Sequence, residues 1–255
     1  MEYSLSRKMI AELVGTFLLV FFGTGSAIGA AWIVHTYVPT GSIGALGGFA
    51  EWLAVSWGGF GITAMAVIYT FGKISGGHIN PAVTIGLLVT KSIPGKNASG
   101  YILAQFIGAI IASLCLLGIF GVDIGAGIGA LGANAPATGI SFSQAMLAEI
   151  VGTFLLVLVV MGVAVDKKAD PGVYGLSIGM AIGISLTFLG HITGGCINPP
   201  ARGFSPYLVN FLVGNPAGLI WTNYLILLIG PIVGGIIAAL LYKFLANPNS
   251  KEIST

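Results

Sequence analysis

A chain of 255 residues that is 56% hydrophobic and only 7% charged cannot cover a water-facing surface, for which soluble domains use about 25% charged residues. Its solvent is lipid, and spanning structure in lipid must satisfy its own backbone polar groups. The formal net charge of +2, scattered along the chain, excludes a nucleic-acid surface.

About 20 apolar residues cross a bilayer core of roughly 30 Å. In chain order, six segments meet that requirement: 9–33, 50–72, 98–120, 142–165, 173–192 and 221–246. The first has no small-residue cleavage site after a short apolar core, so it reads as a retained span rather than a signal peptide. Two further apolar segments are too short to cross. They open at Asn80 and Asn198 and run to Leu88 and Asn210; at about 11 residues each would be roughly 16 Å long, half a membrane. A short apolar helix opened by Asn-Pro reads as a re-entrant half-span. The chain's 40 glycines suit close helix packing in lipid. Cys115 and Cys196 lie in apolar surroundings and suggest neither a disulfide framework nor a metal site.

Lysine and arginine set the orientation. Arg7 and Lys8 precede span 1; Lys73, Lys91 and Lys96 lie between spans 2 and 3; Lys167 and Lys168 between spans 4 and 5; Lys243 and Lys251 close the chain. With six spans all fall on one side, which places both termini in the cytoplasm. Segments 34–49 and 121–141 carry no lysine or arginine, and Arg202 alone breaks the pattern.

The chain also repeats itself. AELVGTFLLVFF (Ala11–Phe22) returns as AEIVGTFLLVLV (Ala148–Val159), GGHINP as GGCINP, and FIGAIIA (Phe106–Ala112) is echoed by LIGPIVG (Leu228–Gly234). Residues 1–120 form one repeat and 121–255 the second. Each holds three spans and a half-span, and an odd number of spans inverts the second copy. The expected fold is therefore an all-α membrane protein of six transmembrane helices plus two re-entrant half-helices in an inverted 3+3 repeat. Inverted repeats place a site near the midplane, where the N-termini of broken helices carry partial positive charge.

Several residues stand out against this apolar background. Asn80 and Asn198 are good helix caps, and Pro81 and Pro199 suit a first helical turn, where a missing N–H has no cost. A cap leaves the asparagine amide donors unused. If both amides face one pore, they hydrogen-bond a single water oxygen and orient its hydrogens toward the two mouths. That interrupts a proton wire, and the helix dipoles act in the same sense. The glycine-rich runs before each box (Ile74–Ile79, with Gly76, Gly77 and His78, and Ile192–Ile197, with Gly194 and Cys196) either line a cavity with carbonyls or allow tight packing. His78 narrows a cytoplasmic vestibule or simply packs. Glu12 and Glu149 are buried acids at matched positions. They are open to two readings, proton coupling or bracing of the half-span loops.

The run SGGHINPAVT (Ser75–Thr84), the second Asn-Pro box followed by Arg202, and the paired AE-x-x-GTF openings resemble the aquaporin family over nearly the whole chain, in particular its archaeal methanogen-type members. The resemblance implies a passive channel for water, with small uncharged solutes such as glycerol, that excludes protons and ions in the cell membrane. It implies Asn-Pro-Ala boxes at Asn80–Pro81–Ala82 and at Asn198, Pro199, Pro200 and Ala201. Phe60, Leu186, Gly195 and Arg202 would form a selectivity filter, and Glu12 and Glu149 structural braces. It implies a homotetramer, no cofactor and no chemical reaction. The rival class is a proton- or sodium-coupled secondary transporter, followed by a membrane enzyme or receptor. The filter has one aromatic and an aliphatic Leu186 where water-selective relatives usually carry histidine, so it should be wider and less polar than a strict water filter.

One departure from the family pattern is plain. Its second box reads Asn-Pro-Ala-Arg, and here an additional proline separates Asn198 from Ala201 and Arg202. The residue before a proline is pushed away from helical angles. Pro199 is therefore expected to be extended, with the helix starting at Pro200, Arg202 in place and Asn198 bulged. The alternative keeps Asn198 in place and rotates Arg202 by about 100°.

Overall fold

The structure, a computed structural model, describes residues 3–38, 42–170 and 172–246; Lys251 lies outside them. Among these residues all regular structure is helical. Ser4 caps α1 (Leu5–Tyr37), accepting from the Arg7 N–H. The second span is α2 (Ser42–Ala54), a π-wound run Val55–Ile62 and α3 (Thr63–Ser75). Gly76, at φ 97°, ends it by donating its N–H to the Gly72 carbonyl. The first half-helix is α4 (Pro81–Val89) and the third span α5 (Gly95–Phe120). A capping box between Ser141 and Gln144 starts α6 (Phe142–Val160), which continues π-wound to Val165. Then come α7 (Tyr174–Leu189), the second half-helix (a π-wound run Pro199–Phe204 followed by α8, Ser205–Leu212) and α9 (Tyr224–Leu245).

The expected spans and half-spans correspond to these elements with shifts at their ends. The main difference follows span 3. Gly121, at φ 71°, breaks α5, and the segment expected as loop holds a further π-wound run, Gly121–Ile128. Five helical runs are long and apolar enough to cross a membrane. The fifth span, α7, is a shorter apolar helix of 16 residues, a rise of about 24 Å.

Packing is inside-out relative to a soluble protein. Ile10, Ile119 and Phe188 are more than half exposed, whereas Glu12, Gln105 and Glu149 are fully buried and Asn80, Asn198 and Arg202 nearly so. Lipid gives apolar helices no reason to associate, so close approach must supply the contact energy. Glycine supplies the approach. A Cβ at Gly108 would run into the Leu13 carbonyl, joining α5 to α1, and one at Gly234 into the Ile150 carbonyl, joining α9 to α6. Leu13 and Ile150 are repeat mates, so Gly108 and Gly234 are structural equivalents. They lie one helical turn from the pairing of Gly108 with Gly230 that the matched letters suggest. Across the repeats, a Cβ at Gly61 would lie 2.9 Å from the Gly179 carbonyl and one at Gly179 2.6 Å from that of Gly61.

Candidate functional site

The half-helices are held by two buried carboxylates. The Ser75 hydroxyl and the His78 N–H donate to Glu12 Oε1 at 2.6 and 2.9 Å; the Ile79 N–H and Gln105 Nε2 donate to Oε2 at 2.6 and 2.8 Å. Glu149 repeats the pattern. It accepts from Thr193 Oγ1 at 2.5 Å, the Cys196 N–H at 2.8 Å and the Ile197 N–H at 2.9 Å. The Gly77 and Gly195 N–H groups complete each loop by donating to Ser75 Oγ and Thr193 Oγ1. Three or four donors per carboxylate satisfy backbone groups that would otherwise be stranded at membrane depth, at about 1–3 kcal/mol each.

This bracing turns the next residue in each loop. Ile79 and Ile197 have φ of 44° and 41°, a sterically poor region for a β-branched side chain. Strain of that kind is of order 1–3 kcal/mol. What it achieves is visible across the repeat axis. Asn80 Nδ2 donates to the Ile197 carbonyl at 2.8 Å, and Asn198 Nδ2 to the Ile79 carbonyl at 2.9 Å. Each amide spends one N–H on the opposite loop and keeps a second. The reciprocal bonds tie the N-termini of the two half-helices together. Sequence reasoning missed Ile79 and Ile197, although the isoleucine before each asparagine was a matched letter.

The two boxes differ in one atom's partner. Asn80 Oδ1 accepts the Ala82 N–H at 2.9 Å. Two residues after Asn198 stands Pro200, which has no N–H, and Asn198 Oδ1 is a buried acceptor without a partner among the described residues. The expected geometry of the additional proline is corrected here. Asn198 is not bulged: its φ and ψ of −142° and 95° are extended, as are those of Asn80 (−157° and 123°), and the helical run starts at Pro199. Nor is Arg202 turned away. Both ends of the segment are pinned by hydrogen bonds, so the additional residue widens the first turn into π winding. The Ser205 N–H donates to the Pro200 carbonyl five residues back. The Ser205 hydroxyl bonds the same carbonyl at 2.7 Å and accepts from Ser113 of α5 at 3.0 Å.

A cavity of about 110 Å³ runs between the repeats. Asn80, Asn198 and Ala201 line it, as do Gly76, Gly77, His78 and Cys196. Phe60, Leu186, Gly195 and Arg202 line it together. The remaining wall is aliphatic, from Leu19, Ile68, Val83, Leu156, Ile178 and Ile182 among others. Gly194 does not line it. Its carbonyl accepts Arg202 Nη1 at 2.7 Å, and the Gly132 carbonyl accepts Nε at 3.0 Å. Those bonds use two of the guanidinium's five N–H groups. Gly195, at φ 69°, has no room for a side chain: a Cβ would stand 2.5 Å from Leu186 Cδ2. Pro81, Ala82, Pro199 and Pro200 shape the helix starts without lining the cavity, and Glu12 and Glu149 stand behind it. His78 both lines the cavity and packs. Its Nδ1 is 3.1 Å from Thr84 Oγ1, and its ring meets Tyr101 edge-on. Among the described residues Cys115 and Cys196 form no disulfide; Cys196 Sγ donates to the Asn198 carbonyl at 3.3 Å, and His191 stacks on Phe49.

The likenesses to known proteins agree with this geometry. A family model described as "Major intrinsic protein" matches residues 1–242. The chain is 48% identical to a protein named probable aquaporin AqpM of Archaeoglobus fulgidus, over 97% of this chain and 100% of that one. It is 46% identical to aquaporin AqpM of Methanothermobacter marburgensis, over 96% and 99%. Among solved structures, the aquaglyceroporin from Plasmodium falciparum superposes with a TM-score of 0.75 at 26% identity, covering 94% of this chain and 96% of that one. A six-span inverted repeat whose half-helices meet at paired Asn-Pro boxes, matched along nearly its whole length, belongs to the major intrinsic protein family of passive, non-enzymatic membrane channels.

Proposed function

We propose that this channel conducts water, and glycerol more slowly, through the cavity between its repeats, and rejects protons and ions. The observation that carries this reading is the reciprocal Asn80–Ile197 and Asn198–Ile79 pairing, which aims two half-helix N-termini at one narrow passage. There the remaining amide N–H groups hold a single water oxygen, and the two positive helix ends repel cations. The resulting break in the water chain blocks proton hopping. Relatives named as aquaporins and an aquaglyceroporin support the choice of permeants.

In this reading Phe60, Leu186, Gly195 and Arg202 form the outer filter. Arg202 presents its unspent N–H groups to permeant oxygen, and Leu186 and Phe60 give a polyol's carbon edge apolar contact. Residues 1–120 and 121–255 act as the two halves of one pore. The lysine and arginine distribution supports cytoplasmic termini in the cell membrane, and the family likeness supports a homotetramer surrounded by lipid.

Stopped-flow light scattering on proteoliposomes tests the proposal. Vesicles should shrink rapidly in a sucrose gradient, re-swell in glycerol faster than protein-free vesicles, and hold a pH gradient reported by a trapped dye. Collapse of that gradient at the rate of a proton channel would refute the central mechanism. Flux that required a proton or sodium gradient would refute passive conduction.

A further inference from the structure

Arg202 lies against two aromatic rings, one of them unexpected. Its Cζ is 5.3 Å from the centroid of Phe60 and 5.1 Å from that of Trp52. Trp52 stands eight residues before Phe60 on the second span, and α-helical winding alone would set the two side chains about 80° apart. The run Val55–Ile62 is π-wound. Its i→i+5 bonds place more residues in each turn, and the angle is taken up, so both rings reach the same guanidinium.

Trp52 also touches a second member of the proposed filter. Its indole N–H donates to the Leu186 carbonyl at 2.8 Å. The ring occupies the space at Gly190, where a Cβ would collide with Trp52 Nε1. None of the backbone groups involved depends on the indole. The Leu186 carbonyl also accepts the Gly190 N–H at 2.9 Å, and the Trp52 carbonyl accepts from Ser56 at 2.8 Å. Arg202 keeps Gly132 and Gly194. Removing the indole therefore strands no backbone polar group. It frees one face of the guanidinium and opens space beside Leu186.

We propose that Trp52 is a specificity-determining residue of the outer filter. Standing behind the cavity lining rather than in it, it holds the Arg202 guanidinium against its loop carbonyls and fixes the Leu186 end of α7, and so sets the largest polyol admitted. The proposal rests on the channel reading above. A filter whose four-residue ring carries one aromatic and an aliphatic side chain is then closed from outside by a tryptophan two turns away.

The test is a permeability ratio in proteoliposomes, with sucrose for water, then glycerol and the longer polyol xylitol. Trp52→Ala should raise the xylitol-to-water ratio about fivefold, the factor that corresponds to an ordinary cation–π contact. Trp52→Phe, which keeps a ring over Arg202 without the indole donor, should bring most of that ratio back. Should the alanine protein not fold, Trp52→Leu carries the same expectation, because it fills the space at Gly190 without an aromatic face. A xylitol-to-water ratio within about twofold of wild type in the alanine or leucine protein would overturn the proposal. So would an equal loss of all three fluxes in folded Trp52→Ala and Trp52→Phe protein. Wild-type vesicles that passed neither water nor glycerol above the lipid background would overturn the channel reading itself, a result distinct from conducting vesicles whose ratio does not move.

Discussion

The most direct perturbation of the pore centre is Pro200→Ala. At the first box the Ala82 N–H reaches Asn80 Oδ1 at 2.9 Å; at the second, Pro200 removes the equivalent donor and Asn198 Oδ1 is unpartnered. Alanine at 200 would supply that N–H at the second helical position, where an asparagine cap accepts. A side-chain cap of this kind contributes about 0.5–2 kcal/mol. Against it stands the loss of proline's restriction of the unfolded chain, about 0.4–1 kcal/mol. The two effects are comparable, so the informative quantity is a difference. Pro199→Ala relaxes the chain in the same way, but its new N–H falls at the first helical position, out of reach of the cap. Pro200→Ala should therefore be more stable than Pro199→Ala by about 0.5–2 kcal/mol. Thermal unfolding of the purified proteins in one detergent, followed by tryptophan fluorescence at a fixed scan rate, measures this difference. Equal midpoints would refute the argument, because they would mean that Asn198 Oδ1 already has a partner of similar strength.

Other expectations follow from the same geometry. Glu12→Leu should abolish recovery of folded protein in detergent size-exclusion, since it strands four donors at about 1–3 kcal/mol each; Glu12→Gln keeps an oxygen for Ser75 and His78 and should retain part of the water flux. Leu186→His should cut glycerol flux much more than water flux, because it narrows the ring and adds a donor opposite Arg202; an equal loss of both fluxes would remove Leu186 from the filter. Deleting Pro200 should convert the π-wound run to α winding with Arg202 still in place, so the water-to-glycerol ratio should hold, and a large gain in conduction would show that the native arginine is displaced. On the rim, the Lys168 N–H and then the Tyr242 hydroxyl, donating at 2.8 and 2.7 Å, hold the Asp166 carboxyl below its ordinary value of 3.8. Its contribution is therefore present above pH 3.8 and lost as pH falls through the depressed folded value. Asp166→Asn should differ from wild type in thermal midpoint at neutral pH and converge with it in acid.

What the sequence revealed about the site depended on whether a residue's role is carried by its chemical type or by winding. A carboxylate in a membrane span must be satisfied by something, and Glu12 and Glu149 sit at matched places in two copies of one pattern. Type and position leave two readings, proton coupling and bracing; the family resemblance implies bracing, and the donors around each carboxylate agree with it. The cap at Asn80 and the half-helix behind it do follow from type and position. The strained Ile79 and Ile197 carry no such mark, because isoleucine is unremarkable in an apolar chain and only its φ sets it apart. The lost partner of Asn198 was in principle legible, since a proline two residues after a cap removes a donor whatever the fold. What could not be read was where the additional residue would be stored. The sequence counts one residue too many between Asn198 and Arg202 without saying whether it bulges before the helix or widens its first turn. That choice belongs to bonds made elsewhere: Asn198 to the opposite loop, Arg202 to Gly132 and Gly194, and Ser113 to Ser205. The same limit hid Trp52. By helical periodicity it is turned about 80° from Phe60, and the π winding of Val55–Ile62 brings the two rings to one cation. Two segments of the proposed filter, the one with Phe60 and the one with Arg202, are π-wound. A wider turn aims a side chain where 3.6-residue winding would not. Of the four residues proposed to set selectivity, Phe60 and Arg202 are thus placed by departures from the periodicity that makes the spans recognisable.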